Sequence, residues 1–597
     1  MFLTFMTRQP AKSRTPSRTP LSSKNFLIFT VCLAMVCFFW NWRYLRTLNL
    51  GTFDWQKEIF FFTFLKDSLF SRGEIPLSIP FVPQNISSYP TLAASSSYWA
   101  NPEVFTFSPF LLLLGIFSEP QFIKILTLIF SLLGCFGSFF LGIRLGLSLP
   151  FGLIFSILTA LNPWVMQHQS VGYTPFLNAL LCPWILFFLL DPMKRSASLV
   201  GASFLSALIL YQGGLHVFVW LFLTLGIFLF FSFLTHQKGS QSRIAFFAFY
   251  SLMSLTLGLP KLFAILTSLD GFRRPINNSY SNMRELLGLL TNQTRNPYDP
   301  AIMYTSYNGV ALYDGLTFVG LGFLILFCLS CINLMITFYR RRATENPAFL
   351  SLLVGFSWIY LAKHKVWANL AHFIPMLDCE IYPYRFLFLA VLCFTFTLVF
   401  EANRISTTVR GPWKMVPWIV FLPVIFSYYN RNEFFSKAAT QIDPFPLIKT
   451  YREFLEKDTT RIIFQDKTGN LNPKAIGVQI HTGPNLIQIQ APSLKNNIHR
   501  VCLEDFRHFR NRDFILHPDT KLIASSDPYS NSTCFEPTSP GKLYLEIKAR
   551  DYHLTPLSLL SALLFVVMLM LWRSRERWSL LFMQSGLSVV KKSRRQN

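Results

Sequence analysis

The segment from Gly214 to Leu234 reads GLHVFVWLFLTLGIFLFFSFL and contains no charged residue in its 21 positions. A helix of about 20 apolar residues has the length needed to cross the hydrocarbon core of a bilayer. Similar segments recur along the 597 residues, of which 52% are hydrophobic and 14% are charged, against roughly 25% charged in soluble domains. A soluble core cannot bury apolar surface on this scale, so the sequence predicts an all-α polytopic membrane bundle.

Twelve segments along the chain are predicted as transmembrane helices by the same reasoning. They are residues 25–43, 121–143, 150–164, 174–190, 197–212, 214–234, 244–260, 314–338, 347–362, 384–400, 413–428 and 555–572. The thirteen-residue apolar piece Phe105–Phe117 is short for a crossing, so we expect it to lie in the membrane interface or to re-enter from it. If it crosses, the count becomes thirteen and the loop charges agree less well.

The distribution of Lys and Arg predicts how these helices are oriented. With the N-terminus in the cytoplasm, every predicted cytoplasmic loop contains basic residues, among them the Arg340–Arg342 run, and so does the C-terminal tail. The net charge of +24 is therefore interpreted as a positive-inside pattern and not as a basic surface for nucleic acid. No small-residue cleavage site follows the first apolar run, Phe26–Trp40, so we expect an uncleaved first helix.

These assignments divide the chain into five parts. They are a basic cytoplasmic N-terminus (1–24), a transmembrane domain (25–428) with outer loops at 44–120, 261–313 and 363–383, an extracytoplasmic domain (429–554), a final helix (555–572) and a basic cytoplasmic tail (573–597). Short runs of alternating apolar residues, separated by Pro, Gly, Asn and Ser, predict that 429–554 is mainly β. Cys502 and Cys534 both fall there; they form a disulfide if the compartment is oxidising, and free thiols fit the sequence equally well.

Ionisable residues at the outer ends of the predicted helices are the candidates for a functional site, because a charge at that depth must be paired, hydrated or functional. Asp54 follows the first helix, with Lys57 beside it and Glu58 at i+4, so that on a helix the two carboxylates share a face. A carboxylate here could deprotonate an acceptor hydroxyl or bind a metal. The alternative is that Asp54 is only the N-cap of the next helix, and the residues by themselves favour that alternative.

Two further groups lie in the predicted outer turns of the same membrane face. His168 and Tyr173 occupy the turn between the third and fourth predicted helices, and His216 occupies the next outer turn. A lone histidine at a membrane boundary is more often an interfacial side chain than a ligand. Two histidines on the same side as Asp54 modestly favour a shared site.

The last group is cationic, and it runs against the positive-inside trend. Arg273 and Arg274 lie in the middle outer loop, and Arg385 stands at the mouth of the tenth helix with Asp378 and Glu380 before it. Guanidinium groups bind phosphate in a bidentate manner, and a lipid-phosphate headgroup would sit at this depth. The alternative is a plain ion pair of Arg385 with Asp378 or Glu380.

Several signatures are absent from the sequence. It contains no Walker A run, no GxSxG elbow, no HExxH and no CxxC, and no pair of interrupted helices in matching halves. ATP-driven transport by this chain alone and secondary transport by internal repeats are therefore not indicated.

Features spread over the whole chain carry a family resemblance. They are Asp54 close behind the first helix, a long outer loop with Glu74–Leu77 and Tyr98–Pro102, the Pro-Tyr-Arg-Phe run at 383–386, and a β domain before a last helix. This layout resembles the GT-C superfamily of membrane glycosyltransferases, and most closely its bacterial YfhO-like branch. The resemblance implies a GT-C-like bundle of about twelve helices in the bacterial cytoplasmic membrane, with both termini in the cytoplasm.

The resemblance also implies a reaction: transfer of a sugar from a polyprenyl-phosphate-linked donor to a glycan, lipid or protein acceptor on the outer face. Asp54 would be the base and Glu58 a second catalytic acid. The substrate-binding residues would be Lys57, His168, Tyr173, His216, Arg273, Arg274, Glu380 and Arg385, with the arginines assigned to the donor phosphate by their chemistry. Many members have two adjacent acids in the first loop, whereas Trp55 follows Asp54 here, which leaves a divalent metal open and implies no other cofactor.

Two alternatives remain. One is a non-enzymatic component of polysaccharide or lipid export or assembly, whose β domain binds a partner. The other is an O-antigen polymerase or ligase, a class that also has many helices and a large outer loop.

Overall fold

The computed structural model describes most of the helical part of the chain and the strands near its C-terminus. The described residues are 23–51, 54–79, 98–190, 196–234, 240–269, 280, 283–291, 319–341, 347–373, 382–408, 416–456, the strands between 462 and 549, and 554–593. Every element, contact and distance given for the protein belongs to these residues.

Helices make up most of the described chain. They are α1 (Ser23–Leu45), α2 (Trp55–Lys66), α3 (Leu111–Ile116), α4 (Glu119–Arg144), α5 (Leu149–Ala160), α6 (Pro163–Ser170), α7 (Cys182–Leu189), α8 (Ser196–Tyr211), α9 (Leu215–Leu234), α10 (Ser240–Leu269), α11 (Met283–Thr291), α12 (Gly320–Arg341), α13 (Pro347–Leu361), α14 (His364–Phe373), α15 (Phe386–Thr408), α16 (Val416–Ala438), α17 (Phe445–Glu456) and α18 (Leu554–Ser593). Shorter turns of helix occupy Asp67–Ser71 (π) and Thr174–Leu181 and Pro383–Arg385 (3₁₀).

Within the described part of the chain, six helices are long and apolar enough to cross a membrane. They are Glu119–Arg144, Leu149–Ser170, Leu215–Leu234, Ile244–Thr267, Pro383–Thr408 and Thr555–Ser574, and four shorter apolar helices accompany them. The protein is therefore an integral membrane protein built mainly of helices. The count of twelve crossings and their orientation stay predictions.

Two predicted spans are interrupted where the sequence has proline. The span predicted at 150–164 becomes α5 and α6, and the side chain of Asn162 caps α6 by accepting a hydrogen bond from the backbone N of Trp164 at 2.9 Å. The span predicted at 174–190 begins as a 3₁₀ helix and becomes regular only at α7. Proline breaks the helical ladder because it has no backbone N–H to donate.

The apolar piece Phe105–Phe117 is helical only over the six residues of α3. A helix of six residues is about 9 Å long, which is too short to cross a bilayer. The residues before it run beside the end of α8, where Thr106 N donates to the carbonyl O of Tyr211 at 2.9 Å. The six-residue length of this helix agrees with the expectation that Phe105–Phe117 does not cross the membrane.

Close approaches between helices hold the bundle together. At Gly355 of α13, an added Cβ would lie 2.4 Å from the ring of Phe394 on α15, so only glycine allows these helices to pack as they do. The last helix, α18, packs on α10: Trp572 contacts the rings of Phe246 and Phe249, and Ser561 donates to the carbonyl O of Thr256.

The helices leave two distinct polar ends on the bundle. At one end, α5 and α15 meet where Ser148 donates to the side-chain oxygen of Asn403 at 2.8 Å. At the other end lie the start of α2, the turn after α6, the turn between α8 and α9, and the start of α15. The candidate residues of the sequence gather at this second end.

Between α17 and α18, the described residues include nine strands in two antiparallel sheets. They are β1 (Ile462–Asp466), β2 (Gly469–Leu471), β3 (Gln479–Thr482), β4 (Leu486–Ala491), β5 (Arg500–Glu504), β6 (Phe514–Leu516), β7 (Thr520–Ile523), β8 (Ser532–Pro537) and β9 (Leu543–Ala549). One sheet has the order β2-β1-β5-β8-β7 and the other β3-β4-β9-β6. That these strands form a separate extracytoplasmic domain stays a prediction.

Candidate active site

Lys57 joins two carboxylates from distant parts of the chain. Its Nζ lies 3.1 Å from Asp54 Oδ2, at the start of α2, and 2.8 Å from Glu103 Oε2, in the loop before α3. The Lys57 side chain is 4% exposed, whereas those of Asp54 and Glu103 are 20% and 19% exposed. The two carboxylates therefore reach solvent while the ammonium between them is buried.

Asp54 stands at the N-cap position of α2 but does not cap it with its side chain. Its carboxylate contacts the ammonium of Lys57 instead. Asp54 therefore occupies the N-cap position, as the capping alternative predicts, but its side chain makes no capping hydrogen bond. The carboxylate belongs to the charged cluster instead.

Glu58 shares the helix with Asp54 but not its surroundings. It is buried, and its carboxylate accepts a hydrogen bond from the hydroxyl of Thr174. Burial raises the pKa of Glu58 to about 8, and the nearby charge of Lys57 and the Thr174 hydroxyl only partly offset this. Near neutral pH its carboxyl therefore holds a proton much more readily than an ordinary glutamate.

Two glycines, in the turns after α6 and between α8 and α9, bring other elements against these carboxylates. Gly172 has φ +87°, and an added Cβ would lie 2.5 Å from the backbone N of Trp55. Gly213 has φ +78°, and an added Cβ would lie 2.5 Å from the carbonyl O of Glu103. Only glycine combines a left-handed backbone with so close an approach, so these turns fix where Asp54 and Glu103 stand.

The loop that carries Glu103 is anchored by a buried lysine. Lys261 of α10 donates from Nζ to the carbonyl O atoms of Trp99 and Asn101, at 2.7 and 2.9 Å. The side-chain oxygen of Asn101 in turn accepts the backbone N–H of Glu103 at 2.9 Å. Glu103 is thereby held by the membrane bundle itself, although it belongs to a connecting segment.

Arg385 lies in a cage of aromatic rings at the start of α15. Its guanidinium carbon is 5.2 Å from the ring centre of Tyr173, 4.9 Å from Phe176 and 4.5 Å from Tyr382. The residue is only 5% exposed. Cation–π contacts with three rings stabilise the charge and hold the guanidinium among them.

Both predicted histidines contact the same ring of this cage. The ring centre of Phe176 is 4.9 Å from that of His168 and 5.8 Å from that of His216. His168 is buried and donates from Nδ1 to the carbonyl O of Trp164 at 2.9 Å. Residues that the sequence analysis placed in separate groups thus lie together around Phe176. They are His168, Tyr173, His216 and Arg385.

The 3₁₀ segment after Gly172 belongs to both clusters. Its first residue, Thr174, bonds to Glu58, while the neighbouring Tyr173 and Phe176 line the cage of Arg385. Thr174 and Phe176 therefore link Glu58, one helical turn after Asp54, to the guanidinium cage, and the two clusters together make up the candidate site.

An apolar cavity of about 150 Å³ lies next to this site. Its lining includes Trp220 and Phe388, and these two rings stack on Phe176 and Trp164 of the aromatic cluster. The other lining residues come from α4 and its C-cap, α5, the 3₁₀ segment, α7, α9, α13 and α15, and nearly all are apolar. A second apolar groove, of about 580 Å³, lies between α9 and α13 and includes the exposed side chains Phe230 and Tyr360.

Some predicted residues cannot be placed and some residues were missed. Arg273, Arg274 and Glu380 lie outside the described residues, as does Asp378. Sequence reasoning missed Glu103, Thr174, Phe176 and Lys261. A signal existed for Glu103, which is the only acidic residue in the 44 positions between Glu74 and Glu119.

Comparison with known proteins gives no assignment. No family model and no curated protein matches this sequence. A solved structure that does match is ArnT from Cupriavidus metallidurans bound to undecaprenyl phosphate, with 12% identity over 74% of this chain and 79% of that one. The TM-score is 0.34, and at this level the likeness does not decide fold family or function.

Proposed function

We propose that this protein is a membrane glycosyltransferase of the GT-C type, which transfers a sugar from a polyprenyl-phosphate-linked donor to an acceptor at the outer membrane face. The observation that carries the proposal is a single site that combines solvent-reaching carboxylates, a buried guanidinium and an adjoining apolar cavity. Transfer from a donor of this class needs all three features. The base takes the proton of the acceptor hydroxyl, the cation binds the donor phosphate, and the apolar surface holds the polyprenyl chain.

Arg385 is the residue that we assign to the donor phosphate. A guanidinium binds phosphate through two parallel N–H donors, and this geometry demands a fixed plane. The rings of Tyr173, Phe176 and Tyr382 surround the guanidinium and restrict its movement. The first isoprene units would lie in the cavity below, where Trp220 continues the aromatic wall from Phe176.

Asp54 is the residue that we assign as general base. It takes the proton of the acceptor hydroxyl while the acceptor oxygen forms a bond to the anomeric carbon of the sugar. The bond from that carbon to the phosphate oxygen breaks on the opposite face, so the configuration inverts. The electron pair stays on the polyprenyl phosphate, and Arg385 stabilises the charge that develops there.

The test measures binding and transfer separately in protein reconstituted in nanodiscs. The probes are a panel of polyprenyl-phosphate-linked hexoses, with total envelope lipid as acceptor and products followed by mass spectrometry. We expect Asp54→Asn to bind the donor as the wild type does and to lose transfer by about 10²–10⁴-fold, the usual contribution of a general base. Arg385→Gln should instead weaken binding of the donor.

Asp67→Asn is the matched control, because Asp67 follows the end of the same helix and pairs with Arg72 away from the cluster. It should keep both binding and transfer. Full transfer by Asp54→Asn would contradict the assignment of the base. Absence of donor binding by the wild type would contradict the proposed function and favour an export or assembly component.

A further inference from the structure

We propose that the ammonium group of Lys57 is a built-in cation that takes the place of a divalent metal between Asp54 and Glu103, so that transfer at this site needs no metal. The inference concerns the site of the proposed function and, for its activity measurement, rests on that function. The measurement of metal binding does not depend on that function.

The residues present do not fit a divalent cation at this place. Hard cations such as Ca²⁺ prefer carboxylate oxygens at about 2.4 Å. The two carboxylates best placed to supply them already share Lys57 Nζ, at 3.1 and 2.8 Å. A metal bound to the same oxygens would lie next to the ammonium, and like charges at such short range repel strongly where water is largely excluded. Among the described residues, no group of three or more His, Cys, Asp or Glu forms a metal site.

The surroundings of Lys57 keep its charge in place. Burial opposes the charged form, but the carboxylates of Asp54 and Glu103 are the leading groups that outweigh it, so the pKa of Lys57 is raised. The ammonium is therefore present throughout the physiological pH range. It is also held from two sides, because Lys57 sits in the first turn of α2 and donates to both Asp54 and Glu103.

A fixed cation at this position does two things that a metal would do. It holds two carboxylates together that would otherwise repel each other or share a proton. It also ties the start of α2 to the loop of Glu103, so the solvent-reaching side of Asp54 faces the acceptor in one orientation. Lys57 is thus a positioning residue, which acts through Asp54.

The experiment replaces Lys57 and measures binding of Mn²⁺ by electron paramagnetic resonance on the full-length protein. Lys57→Met keeps the length of the side chain and removes its charge. We expect this variant to bind Mn²⁺ at millimolar concentration or tighter and to lose that binding when Glu103→Gln is added. The wild type should bind no Mn²⁺ that depends on Glu103. Lys66→Met is the matched control, since Lys66 lies on the same helix but donates to the carbonyl O of Phe117.

The activity measurement distinguishes a positioning role from a structural one. We expect EDTA to leave transfer by the wild type unchanged, and Lys57→Met to lose transfer and to regain part of it when Mn²⁺ or Mg²⁺ is added. A loss that arises from misfolding would not respond to metal.

Three results would overturn the proposal. They are Mn²⁺ binding by the wild type that Glu103→Gln abolishes, loss of wild-type transfer in EDTA with recovery on adding metal, and a folded Lys57→Met variant that binds no Mn²⁺. If Lys57→Met does not fold, the two wild-type measurements still decide. If the wild type transfers no sugar, the proposed function fails while the Mn²⁺ measurements remain readable.

Discussion

Asp54 and Glu58 show how two carboxylates one helical turn apart acquire different chemistry. The Asp54 side chain is 20% exposed and bound to Lys57, so it reaches solvent with a partner. Glu58 faces inward to Thr174 and is buried. Under the proposed function, the buried Glu58 would support the site and the solvent-reaching Asp54 would face the acceptor.

The burial of Glu58 predicts a pH dependence of stability. With a folded-state pKa of about 8, the folded protein keeps this proton up to that pH, whereas the unfolded chain releases it near an ordinary glutamate pKa of about 4.3. The free energy of unfolding contributed by Glu58 is therefore highest at low pH, falls as pH rises through this window and levels off above pH 8. Gln at position 58 can still accept the hydrogen bond from the Thr174 hydroxyl but does not ionise. We therefore expect the melting temperature of Glu58→Gln, minus that of the wild type, to increase as pH rises from 5 to 9.

Melting temperatures measured in detergent by tryptophan fluorescence at several pH values provide the test. Glu453→Gln serves as control, because the Glu453 side chain on α17 is 49% exposed. It should give a difference from the wild type that does not change with pH. A pH-independent difference for Glu58→Gln as well would show that Glu58 ionises normally in the folded protein.

A site residue could be predicted from the sequence where its neighbours in the chain already mark it as unusual. Asp54 and Arg385 stand out in the sequence because each is a charged residue beside an apolar helix. Phe176 does not, since its role comes from its contact with Arg385, more than 200 positions away in the chain. Glu103 is marked only as an isolated acid, because its contact with Lys57 joins positions that are 46 residues apart. Such contacts are set by how the helices pack, and a single sequence carries little information about that.

At the scale of elements, the irregular segments supply more of the site than the regular helices do. Pro175 and Pro183 lie in the first turns of the 3₁₀ segment and of α7, and Gly172 turns the chain with a positive φ before them. The sequence predicts the apolar helix here but not the 3₁₀ geometry that turns Thr174 and Phe176 toward different partners. The apolar spans were predictable because a bilayer imposes a length, and a turn has no such constraint.

The strand register makes a prediction about Cys502. In the pairing of β5 with β8, Cys502 lies directly opposite Cys534, and Cys502 is disulfide-bonded. Cysteines opposite each other on antiparallel strands have Cα atoms at the separation that a disulfide requires. We expect peptide mapping without reductant to recover a Cys502–Cys534 cross-link. Closing a loop of this length should contribute about 3–4 kcal/mol to the stability of the sheet.

Removing both cysteines tests what this cross-link contributes. The double variant Cys502→Ser with Cys534→Ser should unfold the strands at lower denaturant concentration than the wild type, whereas Cys32→Ser, a free cysteine of α1, should not. Recovery of both Cys502 and Cys534 as free thiols from protein purified without reductant would contradict the cross-link. A disulfide here would also place these strands in an oxidising compartment.

At the scale of the whole molecule, the two ends of the bundle differ in charge chemistry. The site end carries the cluster of Asp54, Lys57 and Glu103. At the opposite end, Arg144 donates to the carbonyl O of Phe187, and Arg404 pairs with buried Glu401. Arg144 and Arg404 at the far end are what the predicted positive-inside orientation requires, whereas Arg385 at the site end runs against it. The orientation therefore stays a prediction that needs a direct measurement.

This orientation can be measured with two cysteines, one near each end. Ser71 is exposed just after α2, near the start of α4, and Thr408 is exposed at the last turn of α15, about 33 Å along the helix from Arg385. In a background with the native free cysteines replaced, we expect Ser71→Cys to react with a membrane-impermeant maleimide on right-side-out spheroplasts. Thr408→Cys should react only after the membrane is permeabilised. The reverse pattern would place the carboxylates and Arg385 in the cytoplasm, and a polyprenyl-linked donor presented at the outer face could then not reach them.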